Sequence, residues 1–177
     1  MSHPYGTEVR VIDNYFPDWL VDSFGTWLVE YCPLFYNNTP YGDYNKARFF
    51  GNTVIRNNEF TDTTPWHYFY AYLNECIMHD IGKDLPLSHI HRVLVNAQCP
   101  GQTSQTHTDH DIPATSIIYH AYGNSGATTF KTGEKVEFKK GRLVLFDSFL
   151  EHDGEPPNED IRISLGIIAP HKGVHLT

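Results

Sequence analysis

The second half of the chain carries the pattern that most constrains the fold. After Ser88, short runs of alternating β-branched residues are separated by turn residues about every ten positions. Such spacing is typical of an antiparallel sandwich or barrel. We predict strands near residues 90–98, 114–122, 128–130, 135–138, 142–146 and 161–169.

The first half predicts helices that would support this β-rich region. We expect a strand at residues 8–13 and an amphipathic helix over residues 17–31, where apolar residues recur at helical spacing. A second helix should cover residues 66–81 and end at Gly82. Helices followed by strands indicate an α+β fold.

Residues 33–65 lack a hydrophobic period and are rich in Asn, Thr, Gly, Pro and aromatic residues. A long irregular stretch inside a compact domain is usually functional or disordered. The aromatic residues between Tyr41 and Phe50 suggest either a lid that closes over a substrate or ordinary loop packing, and the sequence favours neither.

Length, charge and cysteine usage limit the classes of function. At 177 residues the chain has the size of one domain. Its net charge of -8 and the absence of any basic run longer than Lys139-Lys140 leave no strong nucleic-acid signal. The three cysteines form no CxxC pair, and neither a membrane span nor a signal sequence is evident. We therefore expect a soluble, cytoplasmic protein whose oligomeric state the sequence leaves open.

The segment His107-Thr108-Asp109 holds the candidate metal ligands. On an extended strand, residues two apart point the same way, so the imidazole of His107 and the carboxylate of Asp109 can converge on one ion. A third ligand must come from elsewhere. His152 follows the strand predicted at residues 142–146, in a turn-like stretch that could carry it over the mouth of a barrel. Two imidazoles and a carboxylate are the facial triad of non-haem iron sites, which leaves three coordination positions open.

Arg162 lies in the apolar run Ile161-Arg162-Ile163-Ser164-Leu165. An arginine inside a hydrophobic strand is costly unless an anion meets it. A dicarboxylic co-substrate that chelates the metal would present its far carboxylate to this guanidinium, with the Ser164 hydroxyl on the same face. The alternative is a structural ion pair with an acidic residue such as Asp147.

Other histidines compete for the ligand role, because 11 of them make a chance HxD pair easy to find. His110 and Asp111 are the nearest rivals, but strand alternation turns His110 away from His107. Four histidines without a spaced partner are expected to be exposed or structural: His89, His91, His120 and His171.

The region from Arg92 to Ile168 resembles the catalytic core of the iron(II)- and 2-oxoglutarate-dependent oxygenases of the prolyl 4-hydroxylase type. The order and spacing of six segments carry the resemblance: Pro100-Gly101, His107-Thr108-Asp109, Thr115-Ser116-Ile117-Ile118-Tyr119, Gly126-Ala127-Thr128-Thr129-Phe130, Lys140-Gly141-Arg142-Leu143-Val144-Leu145-Phe146-Asp147-Ser148 before His152, and Arg162-Ile163-Ser164. The opening Val11-Ile12-Asp13-Asn14-Tyr15-Phe16 is also similar to the start of that family.

This resemblance implies an architecture and three iron ligands. The fold would be one domain over residues 1–177, with a strand-helix support at residues 1–88 and a catalytic double-stranded β-helix core, jelly-roll or cupin-like, at residues 89–170. His107, Asp109 and His152 match the metal-binding positions, and these three would be the catalytic residues.

The resemblance also implies a site for the co-substrate. Arg162 matches the residue that binds the distal carboxylate of 2-oxoglutarate, and Tyr119 matches a tyrosine that hydrogen-bonds the same group. Ser164 is a further candidate there. Without the resemblance, Tyr119 would be taken as a packed strand tyrosine.

The chain departs from the family pattern at three places. The usual Tyr-Leu-Asn is Tyr119-His120-Ala121, the usual Gly-Gly-Glu-Thr is Ser125-Gly126-Ala127-Thr128, and several relatives have lysine where Arg162 stands. These departures bear on the substrate rather than on the iron.

The reaction implied is hydroxylation with iron(II), 2-oxoglutarate and dioxygen, with ascorbate as a further candidate cofactor and succinate and carbon dioxide as co-products. A peptide or protein side chain such as proline is the first hypothesis for the substrate. One alternative is a free small metabolite or a nucleobase oxidised at the same centre. The other is a cupin-like binding protein that keeps the metal and performs no oxidation.

Overall fold

The described strands form two antiparallel sheets. A computed structural model describes residues 8–37, 49–61, 67–85 and 87–173. Its strands are β1 (Arg10–Ile12), β2 (Phe35–Asn37), β3 (Phe49–Arg56), β4 (Glu59–Phe60), β5 (Arg92–Gln98), β6 (Ala114–Tyr122), β7 (Ala127–Phe130), β8 (Lys135–Glu137), β9 (Leu143–Asp147), β10 (His152–Glu155) and β11 (Arg162–Pro170). The main sheet has the order β1-β9-β6-β11-β5-β3-β2, with β4 paired to β3, and the minor sheet has the order β10-β7-β8.

Strict alternation along β5 and β11 gives the main sheet two different faces. Val93, Val95 and Ala97 of β5 are fully buried in the hydrophobic core, whereas the residues between them are only partly buried. Strand β11 places Ile163 and Leu165 in the same core. Because successive side chains of a strand point to opposite faces, the intervening residues of both strands line the other face of the sheet.

Two helical segments cover the core face. Helix α1 (Asp18–Tyr31) follows Pro17 and contributes Phe24 and Leu28, and helix α2 (His67–Cys76) continues into a π-helical turn (Ile77–Ile81) before Gly82. The rings of Phe24 and Phe69 stack between the two helices. Helix α1 lies close to β6 because Gly25 has no side chain: a Cβ there would be 2.6 Å from the carbonyl oxygen of Ala121.

The minor sheet packs against the opposite face of the main sheet through a second apolar cluster. Phe130 and Val136 come from the minor sheet, and Val144 and Phe146 come from β9. This contact covers one end of the sheet face, so that the two sheets enclose a space beside it. The site described below lies in that space.

The cross-strand register arranges the residues facing this space in successive rows. Arg162 of β11 is opposite Gln98 of β5. The next row holds Asn96, Ser164 and His120, and the row after it holds Leu94, Gly166 and Ile118. Arg92 ends the series opposite Ile168.

The sequence-based prediction of an α+β chain with strands after residue 88 agrees with these elements, but two local predictions were wrong. Residues 33–65 contain β2, β3 and β4 rather than only irregular chain. A register shift between Thr53 and Ile55 interrupts alternation along β3, which hid the strand in the sequence. Most of the stretch considered as a lid, residues 38–48, lies outside the described residues, as do residues 62–66.

The second wrong prediction concerns His152. It was expected in a turn-like stretch, but it begins β10, which pairs with β7. Separately, among the described residues, no helix has the length and apolar character needed to cross a bilayer.

Candidate metal centre and adjoining cavity

Three predicted ligands meet at one point in the structure. The ligand atoms of His107, Asp109 and His152 all lie within 4.8 Å of one another. The Nε2 atom of His107 is 3.8 Å from Oδ1 of Asp109, and Nε2 of His152 is 3.7 Å from Oδ2 of the same carboxylate. In the part of the chain that the structure describes, this is the one group of three or more His, Cys, Asp or Glu side chains with such spacing.

Main-chain hydrogen bonds hold the ligand-bearing segments together. The N–H of His107 donates to the carbonyl of His152, and the N–H of His152 donates back to His107, both over 2.9 Å. The N–H of Asp109 donates to the carbonyl of Ser148 over 3.1 Å. The positions of the three ligands are therefore set by backbone pairing and not only by their side chains.

Each imidazole is oriented by a hydrogen bond on the nitrogen remote from the cluster. Nδ1–H of His107 donates to the carbonyl of Gln105 over 2.8 Å, and Nδ1–H of His152 donates to the carbonyl of Leu150 over 3.0 Å. A proton on Nδ1 leaves the lone pair of Nε2 for a metal ion. Phe146 packs edge-on against the ring of His152 at 4.7 Å and restricts its rotation.

The charges in the cluster suit a divalent cation. Burial opposes ionisation of Asp109, but His152, Arg92 and His107 nearby hold its pKa below the ordinary value, so that it is a carboxylate at neutral pH. Burial lowers the pKa of His152, which keeps that ring neutral and able to coordinate. Two imidazoles and one carboxylate are the donor set of mononuclear non-haem iron(II) sites. The residues present therefore fit an iron(II) ion.

Arg92 contacts the same carboxylate from β5. Its Nη2 atom is 3.4 Å from Oδ1 of Asp109, which is a long contact for a charged pair. The Nε–H of Arg92 is buried and has no hydrogen-bond partner among the described residues. Arg92 thus contacts a predicted metal ligand. Its place at the site was not predicted, because an arginine that opens a strand gives no local signal in the sequence.

A cavity of about 190 Å³ extends from the cluster of His107, Asp109 and His152 into the space between the two sheets. His107 is on its exposed side, with 45% of the side chain accessible, and the buried end holds Arg162. The lining residues include Leu94, Asn96, Gln98, Ile118, His120, Thr128, Phe138, Gly154, Ser164 and Gly166.

Arg162 is 6% exposed and its hydrogen-bond partners in the structure are neutral. Nε–H donates to Oε1 of Gln98 over 2.8 Å, an Nη2–H donates to the same oxygen, and an Nη1–H donates to the carbonyl of Ala127 over 3.1 Å. Gln98 in turn donates to the carbonyl of Gly154 over 3.3 Å. Within the described residues, no ion pair joins Arg162 to Asp147 or to any other carboxylate, so the structural alternative gains no support.

Counting donors shows what Arg162 can still bind. A guanidinium has five N–H groups, and the protein uses three of them. One N–H remains on each terminal nitrogen, an arrangement that matches the two oxygens of a carboxylate. Burial lowers the pKa of Arg162 to about 10, which leaves it charged at neutral pH.

Two glycines let the guanidinium take this position. A Cβ on Gly154 would lie 2.7 Å from Nη2 of Arg162, and a Cβ on Gly126 would lie 3.1 Å from Nη1. Any larger residue at Gly154 would push the guanidinium aside. Gly126 begins one of the segments in which the sequence resembles the prolyl 4-hydroxylase-type oxygenases.

The structure brings Ser164 to the cavity but not Tyr119. Ser164 lines the cavity beside Arg162, as its place two residues along β11 predicts. The ring of Tyr119 is 1% exposed and packs in the core against Phe16 and Phe24. Its predicted contact with a co-substrate is therefore corrected: this side chain is on the face of β6 that points away from the cavity.

His120 occupies the cavity face of β6 in place of Tyr119. The sequence predicts an exposed or structural histidine here, and the ring is indeed buried and accepts a hydrogen bond from the N–H of Lys139; its place in the cavity wall was not predicted. The rival ligands lie elsewhere: Nδ1 of His110 accepts the N–H of Asp111, and its ring faces His91. His171 is buried against the hydroxyl of Thr115.

Comparison by sequence finds no relative: no protein-family model matches the chain, and no curated protein matches it. Comparison by structure finds many. A prolyl-4-hydroxylase from Pseudomonas putida has a TM-score of 0.68 at 16% identity, over 94% of this chain and 94% of that one. A prolyl hydroxylase from Trichoplax adhaerens, in complex with a peptide of hypoxia inducible factor, has a TM-score of 0.70 at 13% identity, over 93% and 84%.

A third similar structure is that of an enzyme with a different reaction. The non-haem α-ketoglutarate-dependent carbocyclase SnoK from nogalamycin biosynthesis has a TM-score of 0.65 at 9% identity, over 92% of this chain and 79% of that one. Identities this low establish likeness of fold. The chain therefore has the fold that prolyl hydroxylases and other 2-oxoglutarate-dependent oxygenases share.

Proposed function

We propose that this chain is an iron(II)- and 2-oxoglutarate-dependent oxygenase of the prolyl 4-hydroxylase-like type. Its double-stranded β-helix core would comprise residues 89–170 of a single domain spanning residues 1–177. The observation that carries the proposal is that one cavity joins the cluster of His107, Asp109 and His152 to Arg162, whose partners are neutral.

The spacing within the cavity supports a five-carbon dicarboxylate as the co-substrate. His152 and Gly154 are two residues apart on β10, which places them about 6–7 Å apart, and the guanidinium of Arg162 lies against Gly154. With C–C bonds of about 1.5 Å, an extended five-carbon diacid separates its terminal carboxyl carbons by about 5 Å. One end can therefore approach the metal ligands while the other pairs with Arg162.

The residues of the chain would divide the work of the reaction. When bound, iron(II) supplies the activation of dioxygen and couples decarboxylation of 2-oxoglutarate to oxidation of a C–H bond. His107, Asp109 and His152 would hold the ion, and Arg162 would fix the distal carboxylate with the Ser164 hydroxyl beside it. Gln98 prevents the guanidinium from rotating, and the apolar side chains of Leu94, Ile118 and Phe138 limit the access of water.

For the substrate, we propose a peptide or protein side chain, with proline as the first candidate. Two of the similar structures are prolyl hydroxylases and one of them holds a peptide. The exposed edge of His107 supports this proposal, because it leaves the cluster accessible to a chain segment. A small metabolite is the second candidate, favoured by the similarity to a carbocyclase of a biosynthetic pathway.

Succinate formation tests the proposal. Purified protein should convert 2-oxoglutarate to succinate with iron(II) and dioxygen, with and without ascorbate, and His152→Ala should abolish this while His110→Ala should not. Stimulation by proline-rich peptides would support the prolyl substrate, whereas turnover that peptides leave unchanged would favour a metabolite. Absence both of turnover and of a visible charge-transfer band with anaerobic iron(II) and 2-oxoglutarate would refute the oxygenase and favour a binding protein.

A further inference from the structure

His120 is a buried histidine that no residue-based prediction assigned to the site. It lies on β6 opposite Ser164 of β11, and the side chains of both residues line the cavity. The residue is 1% exposed. Its ring stacks on Phe138 at 4.1 Å with an interplanar angle of 10°, which fixes the plane of the imidazole.

A main-chain hydrogen bond determines which nitrogen carries the proton. The N–H of Lys139 donates to Nδ1 of His120 over 3.1 Å, so Nδ1 is the acceptor and the proton of the neutral ring is on Nε2. Burial, followed by the charges of Arg162 and Arg142, lowers the pKa of His120 to about 3, which keeps the ring neutral. The cavity therefore receives one N–H donor of fixed orientation.

That donor has no partner in the part of the chain that the structure describes. Nε2 of His120 is buried and makes no hydrogen bond with the described residues. A buried donor without an acceptor is costly, and in native structures most buried polar groups have a partner in the protein, in water or in a ligand. Arg162 is at the same end of the cavity and also lies over the Phe138 ring, at 5.5 Å from its centroid. Both side chains thus contact the Phe138 ring and line the same cavity, and each has N–H groups without a partner among the described residues.

We propose that Nε2–H of His120 donates a hydrogen bond to the same distal carboxylate that Arg162 binds, and so helps to select a dicarboxylic co-substrate. This inference rests on the proposed function. The structure favours His120 over Tyr119 for this role, because the tyrosine packs in the core and the histidine faces the cavity. The substrate-side chemistry of the enzyme is unaffected by the inference.

A comparison of two ligands isolates the proposed hydrogen bond. Binding of 2-oxoglutarate and of 2-oxopentanoate, which has the same five carbons but no distal carboxylate, is measured calorimetrically on Mn(II)-loaded protein under argon. His120→Phe should weaken the binding of 2-oxoglutarate roughly 10- to 100-fold, which is the range for a hydrogen bond to a charged group. The same variant should change the affinity for 2-oxopentanoate less than about twofold. Tyr119→Phe is the matched control on the adjacent residue and should affect neither ligand.

Two further measurements keep the test decisive. His120→Gln retains an N–H donor at the position of Nε2 and should restore most of the affinity. In zinc-loaded protein labelled with ¹⁵N-histidine, the Nε2–H resonance of His120 should move downfield with 2-oxoglutarate and stay in place with 2-oxopentanoate.

The outcomes separate the two proposals. Equal weakening of both ligands, no change for 2-oxoglutarate, or weakening by Tyr119→Phe instead would overturn the role of His120 while leaving the oxygenase intact. Failure of the unmodified, metal-loaded protein to bind either 2-oxo acid would instead refute the proposed function.

Discussion

Replacing Gln98 with glutamate should introduce a protein carboxylate that competes with the distal carboxylate of the co-substrate for Arg162. Oε1 of Gln98 accepts two N–H groups of Arg162, with Nε at 2.8 Å. In Gln98→Glu, the same hydrogen bonds would form a buried ion pair. The guanidinium would then be neutralised before any ligand arrives.

Coulomb's law gives the approximate size of the effect. Two carboxylates on different sides of one guanidinium are about 7 Å apart, and at an effective dielectric constant of about 20 they repel each other by about 2.4 kcal/mol. At 1.4 kcal/mol for each factor of ten, binding of 2-oxoglutarate should weaken roughly 50-fold. Gln98→Met removes the acceptor without adding charge, and should weaken binding less than about fivefold.

The two variants should rank in the opposite order for thermal stability. Gln98→Met deprives a buried charged group of two hydrogen bonds worth about 1.5 kcal/mol or more each, so the Tm without ligand should fall by about 6–12 °C. The Tm of Gln98→Glu should stay closer to that of the unmodified protein. Calorimetric titration of Mn(II)-loaded protein and thermal unfolding measure both quantities. If Gln98→Glu binds 2-oxoglutarate as tightly as the unmodified chain, Arg162 is not the carboxylate anchor and the reasoning fails.

Three further predictions address the metal, the cavity wall and pH. His152→Ala should lower Mn(II) affinity at least about 100-fold by titration, because loss of a ligand should cost more than the roughly 10- to 100-fold that follows loss of a residue that only orients a ligand. His110→Ala should leave the Mn(II) affinity unchanged, and equal affinities of the two variants would contradict the cluster. Gly154→Ala should weaken 2-oxoglutarate about tenfold or more in the same titration, because its Cβ would displace the guanidinium, whereas Gly166→Ala meets no atom closer than 3.6 Å and should be tolerated. The free energy of unfolding in urea should rise between about pH 4 and pH 6.5, because the unfolded chain binds a proton at His120 that the folded chain, with its pKa lowered to about 3, does not. His120→Gln should remove at most about 1.4 kcal/mol per pH unit of that slope, and an unchanged slope would show that the ring is not held neutral.

Alternation and ligand spacing predicted much of this protein from sequence. β11 was recognisable because Ile163, Leu165 and Ile167 repeat with the period of a strand, and the chemistry of an arginine among them predicted an anion partner. The two-residue spacing of His107 and Asp109 likewise predicted a shared metal. These features are local, so one stretch of sequence contains the information.

The failures arise where the face of a strand depends on distant contacts. β6 is buried on both faces, so hydrophobicity could not tell which of Tyr119 and His120 points to the cavity. A shift of one residue exchanges every side chain between faces, and the family pattern placed the tyrosine on the wrong one. β10 begins with His152-Asp153-Gly154, which has no β-branched residue and is a strand only through its pairing with β7.

The reciprocal hydrogen bonds between the main chains of His107 and His152 have a consequence for the proposed metal site. Because peptide groups fix the separation of the two rings, the binding site should keep nearly the same dimensions when a bound ion dissociates. Reloading should then proceed without refolding, and exchange of one divalent metal for another should be governed by the preferences of the ion itself.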